Sequence, residues 1–187
     1  MSEPTVDFSK LRVLVVENHA LMRRLLGEML RGFGVGYLRD ARDVPEGLDC
    51  IYREHFDVVI VDFFLGEPDG ADFATQVRRD KTCRNREVPI LLITGVPDQH
   101  KVMKVRSAGV NGMLAKPIAP TDLYKRLHAV LADPQPFVVT DDYVGPARVR
   151  RDGDVASRVA LASAAGKSRP DAPSPATPSS IDDQILA

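Results

Sequence analysis

Residues 58–65 read Val-Val-Ile-Val-Asp-Phe-Phe-Leu, an apolar and mostly β-branched run interrupted by a single acid, Asp62. A continuous run of this kind is what a strand covered on both faces looks like, as parallel strands are. An unpaired carboxylate inside such a strand would be expensive, so Asp62 belongs at its C-terminal tip. In an open α/β sheet that tip borders the crevice where ligands bind. Taken alone, the run leaves two roles open for Asp62: a cap for the following turn, or a member of a site. The other strand ends decide between them.

Leu11 to Val16 is a second β-branched run, and it stops at Glu17-Asn18-His19. Leu21, Leu25, Leu26, Met29 and Leu30 then recur at helical spacing, predicting a helix closed by Gly32 and Gly34. A short strand at Val35–Leu38 follows, then a helix from Val44 to His55 with Pro45 in its first turn, where a missing N–H does no harm. After the Asp62 strand, Gly66–Gly70 is loop, Ala71–Arg79 is helical, and Lys81–Glu87 is a charged connector. Pro89–Thr94 is the fourth strand, Asp98 can cap a helix running to Ala108, and Gly112–Ala115 is a short fifth strand ending at Lys116-Pro117. Pro120–Ala132 is the last helix. Five βα units predict an α/β fold, a doubly wound five-stranded parallel sheet with helices on both faces and right-handed crossovers. The order 2-1-3-4-5 is expected for such a sheet.

The reading divides the chain into an N-terminal lead at 1–9, one domain at 10–132 and an extension at 133–187. Asp133-Pro134-Gln135-Pro136 breaks the last helix, and from Ser163 onward Ala, Ser, Pro and Gly dominate. That stretch has too little apolar surface to offset its ordering entropy and is expected to be disordered. Between them lie Phe137-Val138-Val139, Tyr143-Val144-Gly145-Pro146 and the basic trio Arg148, Arg150 and Arg151. This segment reads as a strand-like arm or solvated linker, with a docking arm as the alternative.

The formal net charge of -1 is spread evenly, so nothing points to a nucleic-acid partner. Cys50 and Cys83 show no CxxC spacing and suggest neither a disulfide framework nor a zinc site. No leader-like N-terminus and no membrane-length apolar stretch is seen, and a cytoplasmic protein is expected.

Four polar features end four apolar strands on one edge of the sheet: Glu17-Asn18, Asp62, Thr94 and Lys116. In the expected order the first and third strands adjoin, so the acidic groups converge at the switch point. Two carboxylates and an amide oxygen suit a hard cation such as Mg²⁺, which keeps water and phosphate oxygens among its ligands. Lys116 and the Thr94 hydroxyl would then meet a phosphoryl group, one as a point charge and one as a donor.

These residues, with the Asp69-Gly70 turn, Thr94-Gly95 and Lys116-Pro117 in order, resemble the receiver domains of bacterial two-component response regulators over residues 10–132. The resemblance implies a flavodoxin-like (βα)5 fold in which Asp62 accepts a phosphoryl group from a sensor histidine kinase or phosphotransfer protein. It also implies that Glu17, Asn18, Asp62 and the backbone carbonyl of Phe64 hold Mg²⁺, and that Thr94 and Lys116 contact the phosphoryl group. A downstream protein would be met on the face of the fourth helix, fifth strand and fifth helix, through Lys101, Lys104, Met113, Tyr124 and Lys125.

Three departures stand out. Asn18 replaces the usual second Asp of the acidic pair. Met113 stands where the family usually carries an aromatic switch residue beside Thr94. No output domain is recognisable after the receiver, although residues 137–151 resemble an extension of some stand-alone receivers.

The expected function is that of a single-domain response regulator with at most slight self-catalysis. The competing reading is a pseudo-receiver, a constitutive interaction module independent of phosphorylation. A dehalogenase-like phosphatase would need a second Asp where Phe64 stands, and a nucleotide-binding fold would need a Gly-rich loop after the first strand. Phe64 and Val96 flank the approach of water to Asp62, and neither can orient it, so a long-lived phosphoryl group is expected.

Overall fold

Two strands, β3 (Val58–Asp62) and β4 (Ile90–Thr94), are buried at every residue, as their unbroken apolar sequence requires. They form the middle of a five-stranded parallel sheet with β1 (Arg12–Val16), β2 (Tyr37–Ala41) and β5 (Gly112–Ala115). The spatial order is β2-β1-β3-β4-β5, the expected doubly wound arrangement. The computed structural model describes residues 6–95 and 99–147. Five helices connect and follow the strands: α1 (Ala20–Gly32), α2 (Val44–Arg53), α3 (Gly70–Arg79), α4 (Gln99–Ser107) and α5 (Pro120–Ala132).

Strand alternation sends neighbouring residues to opposite faces and so builds two cores. Val13, Val15, Val58, Ile60 and Leu114 pack with Leu26 and Leu30 of α1 and Leu123 and Leu127 of α5. Leu14, Val16, Val59, Val61 and Met113 pack with Ile51 of α2, Phe73 and Val77 of α3 and Val105 of α4. The N-terminal lead joins the first core through buried Phe8, whose ring stacks on Tyr124 at 5.1 Å and meets Phe33 edge-on at 6.4 Å.

Two elements, β2 and α2, differ from the sequence expectation by more than one residue. β2 lies at Tyr37–Ala41 rather than Val35–Leu38, because pairing fixes it: Arg12 registers with Tyr37 and Val16 with Ala41. As an edge strand it turns Arg39 and Asp40 to water, which hides it from an apolar pattern. α2 ends at Arg53, with Glu54 rather than a further helical turn closing it.

After α5, β6 (Phe137–Val139) and β7 (Val144–Pro146) form an antiparallel hairpin. The Tyr143 hydroxyl donates to the Pro146 carbonyl at 2.8 Å and braces the turn. The hairpin presses on Gly109, just past α4, so closely that a Cβ there would lie 2.3 Å from the Val144 carbonyl oxygen. Beneath it the Arg78 guanidinium is buried, donating to the carbonyls of Gly109, Arg86 and Val88 and to the Asn111 side chain at 2.5–3.0 Å. The basic trio beginning at Arg148 and the stretch from Ser163 lie outside the described residues.

Candidate functional site

β1 delivers Glu17 to the C-terminal edge of the sheet, where it is 1% exposed. Its backbone N–H bonds Ala41 at the end of β2 (3.0 Å), and Arg23 of α1 donates to its carbonyl (2.7 Å) while pairing with Asp40 (3.0 Å). The loop is thus fixed from both sides. One carboxylate oxygen accepts from the His19 N–H at 2.9 Å, and the other lies 3.1 Å from the Lys116 ammonium. His19 caps α1 by accepting the Met22 N–H on Nδ1 at 3.4 Å.

β3 delivers Asp62, 3% exposed, with Oδ1 3.0 Å from the same Lys116 Nζ. The next helix begins almost on top of it. Asp69 and Asp72 form a reciprocal capping box, and a Cβ on Gly70 would stand 2.1 Å from the Asp62 carbonyl oxygen, so only glycine permits this approach. β4 delivers Thr94, 1% exposed, one residue past Ile93, the register partner of Asp62. The Lys116 N–H bonds the Thr94 carbonyl at 2.9 Å, which ties the end of β5 to the end of β4. Glu17, Asp62 and Lys116 are therefore brought together, with Thr94 buried at the end of the adjacent strand.

Burial, and then the neighbouring Glu17 carboxylate, push the Asp62 carboxyl above its ordinary value, and the Lys116 ammonium opposes them. Burial also works against the charged form of Lys116, but its two carboxylate partners outweigh it and raise its value. Asp62 Oδ1 sits at ion-pair distance from Lys116 without hydrogen-bond geometry, and Thr94 Oγ1 has no hydrogen-bond partner among the described residues. Buried polar atoms are nearly always satisfied, so two such atoms at the ends of adjacent strands mark a place prepared for another group.

Asn18 stands exposed at the rim and donates its side-chain N–H to the Phe64 carbonyl at 2.8 Å. The Phe64 ring is 44% exposed and meets Phe63 edge-on at 5.1 Å, while Val96 lies outside the described residues. No group of three or more His, Cys, Asp or Glu side chains able to hold a metal exists among the described residues. The oxygen donors available are two carboxylates and the Phe64 carbonyl, which the Asn18 amide also engages. Asp62 Oδ1, buried and lacking a hydrogen bond, is the kind of oxygen a hard cation takes, so this set fits Mg²⁺.

The expected contact face needs correction at Met113. Met113 is 3% exposed and belongs to the core beside Val102 and Val105, because strand alternation turns it inward. Lys104 is exposed as expected and also pairs with Asp69 at 2.7 Å and Asp72 at 2.9 Å on α3. Tyr124 is exposed although it stacks on Phe8, Lys125 is exposed, and the Lys101 side chain lies outside the described residues. The sequence reading missed both the Arg23–Asp40 anchor of the Glu17 loop and the Lys104 tie to the α3 cap. Each joins surface charges distant in sequence, and no local pattern marks them.

The family model for the response regulator receiver domain matches residues 13–128. The chain is similar to the chemotaxis protein CheY-3 of Vibrio cholerae, at 27% identity over 120 residues that span 64% of this chain and 91% of that protein. It is also similar to the transcriptional regulatory protein PdtaR of Mycobacterium tuberculosis, 32% identical over 126 residues, 66% of this chain and 59% of that one. Among solved structures, the V. cholerae chemotaxis protein CheY4 superposes with a TM-score of 0.60 at 29% identity, covering 65% of this chain and 98% of its own.

Proposed function

This chain belongs to the response regulator receiver domain family, and from that premise we propose that it accepts a phosphoryl group on Asp62 from a histidine kinase or phosphotransfer protein. The observation that carries the reading is Asp62 Oδ1, buried without a hydrogen bond 3.0 Å from the Lys116 ammonium, together with the buried, unpartnered Thr94 hydroxyl at the end of the adjacent strand.

An Asp62 carboxylate oxygen attacks the phosphorus of a phosphohistidine, the P–N bond breaks, and the imidazole leaves with the bonding pair and is protonated. Lys116, which now balances Asp62 and Glu17, pairs with the incoming phosphoryl oxygens, and the Thr94 hydroxyl donates to one of them. Glu17, Asp62 and the Phe64 carbonyl would hold Mg²⁺, which would neutralise charge on the transferred group. The Phe64 ring at the mouth offers water no hydrogen bond, which favours a slow loss of the phosphoryl group. Output runs through protein contacts on α4 and α5, where Met103 and Lys125 are exposed.

Intact mass after treatment with a small acyl phosphate and Mg²⁺ should rise by one phosphoryl group in the wild type and stay unchanged in Asp62→Asn. An unmodified wild type would favour the constitutive interaction module instead.

A further inference from the structure

We propose that Asn18 is a competitor of the divalent cation rather than one of its ligands, bracing by a hydrogen bond the two loops that the cation would otherwise bridge. This rests on the reading above, in which Mg²⁺ is held between the loop after β1 and the loop after β3. The two loops are joined directly: Asn18 Nδ2 donates to the Phe64 carbonyl at 2.8 Å across 46 positions of sequence. That distance is a good N–H···O bond. The Phe64 oxygen is also the backbone oxygen offered to the metal, so the amide hydrogen and the cation seek the same atom.

The chemistry depends on the residue being Asn. An aspartate at this position could only accept, and would face the Phe64 carbonyl with oxygen against oxygen. Such a side chain needs a cation between the two, whereas the amide supplies the missing hydrogen itself. The charge of the site is handled in the same way. Glu17 and Asp62 would repel each other across the pocket, but the Lys116 ammonium lies 3.1 Å from one and 3.0 Å from the other. Lys116 supplies the positive charge and Asn18 the mechanical link, the two services a divalent cation would provide. The link also has something to hold: six residues after Phe64, Gly70 starts α3 against the Asp62 backbone, and its N–H bonds the Phe63 carbonyl at 3.1 Å. Asn18 therefore positions the β3–α3 loop, and Mg²⁺ must displace its N–H to reach the Phe64 oxygen.

The two roles predict opposite signs for one substitution. If Asn18 were a ligand, Asn18→Ala would weaken Mg²⁺ binding. As a competitor, its removal leaves binding as tight as in the wild type or tighter. The experiment titrates Mg²⁺ alone, without phosphodonor, into wild type, Asn18→Ala and Asn18→Asp by calorimetry, and records melting temperature in chelator and in saturating Mg²⁺. Asn18→Asp should melt below the wild type in chelator, gain more from Mg²⁺, and bind it roughly tenfold tighter or more, as a full charge replaces an amide. Asn18→Ala should melt lower in chelator with undiminished affinity. Weaker binding by Asn18→Ala overturns the inference, as does an unchanged melting temperature of Asn18→Asp in chelator. Phosphoryl uptake by Asp62, weighed separately, shows whether the parent reading survives that failure. If none of the three proteins binds Mg²⁺, the inference and the metal assignment fall together.

Discussion

Two charged side chains are buried at opposite ends of the same parallel sheet, and their surroundings differ. At the N-terminal ends of β4 and β5, the Arg78 guanidinium has an acceptor for each of its nitrogens: the carbonyls of Gly109, Arg86 and Val88 and the Asn111 amide oxygen. The Phe137 ring of the hairpin lies over it at 5.7 Å. Burial pushes its value down to about 10, and it keeps its charge at neutral pH. At the C-terminal ends, Asp62 has an ammonium at 3.0 Å and an oxygen without a hydrogen bond. A charge with every partner in place holds structure together, whereas one left short of partners is available for chemistry.

The sharpest way to break this comparison is to remove the satisfied charge. Arg78→Met keeps length and apolar contact but strands three carbonyls without this donor and leaves the Asn111 amide oxygen with only the Ile90 N–H. It should cost about 3–5 kcal/mol of stability, read from urea unfolding, with Arg78→Lys recovering only part because an ammonium cannot reach four dispersed acceptors. A loss below ~1 kcal/mol would mean that water replaces the guanidinium and that Arg78 is an ordinary surface charge.

A smaller effect is expected from removing what covers Arg78. Truncation after Ala132 takes away Phe137 and the hairpin packed on Gly109, and should leave the five-stranded fold intact by circular dichroism while costing ~1–3 kcal/mol. Gly145→Ala should reproduce part of that loss, since φ is +157° there and a Cβ would lie 2.6 Å from the Gly109 Cα. Complete unfolding of the truncated chain would place the domain boundary beyond Ala132.

The two ends also differ in how far the sequence betrays them. Glu17, Asp62, Thr94 and Lys116 are visible because each polar residue interrupts or ends an apolar run, and a parallel sheet sends all such ends to one edge. Arg78 next to Arg79 looks like the solvated face of a helix. Most of its partners are backbone carbonyls, which every residue carries, so no composition or spacing announces them. Met113 was misplaced for a different reason. Its position in the family's switch pair suggested exposure, while the alternation of β5, which sends Leu114 to the α5 side and Met113 to the α4 side, required burial. The Asn18–Phe64 bond joins a side chain to a backbone oxygen on another loop, and only the assembled strand order brings the two together.

The smallest predicted effect is one of sign, and it separates the two charges by pH. Burial and Glu17 raise the Asp62 carboxyl above its ordinary 3.8 in the folded protein, against the pull of Lys116. Between that ordinary value and the raised one, the native state retains a proton that the unfolded chain has lost. Stability contributed at this position is therefore greatest below 3.8 and falls as pH rises through the folded value. Asp62→Asn removes the titration. The unfolding free energy of wild type minus that of Asp62→Asn should then decline from acid to neutral pH, measured by urea unfolding in chelator. The lowered carboxyls of Asp72 and Asp80 titrate nearby but are shared by both proteins, so they cancel in the difference. Arg78 stays charged throughout this range, and the offset between wild type and Arg78→Met should be flat. A difference for Asp62→Asn that is flat or rises with pH would show that Lys116 satisfies the carboxylate as fully as the four acceptors satisfy Arg78. The two ends of the sheet would then be alike in energy as well as in burial.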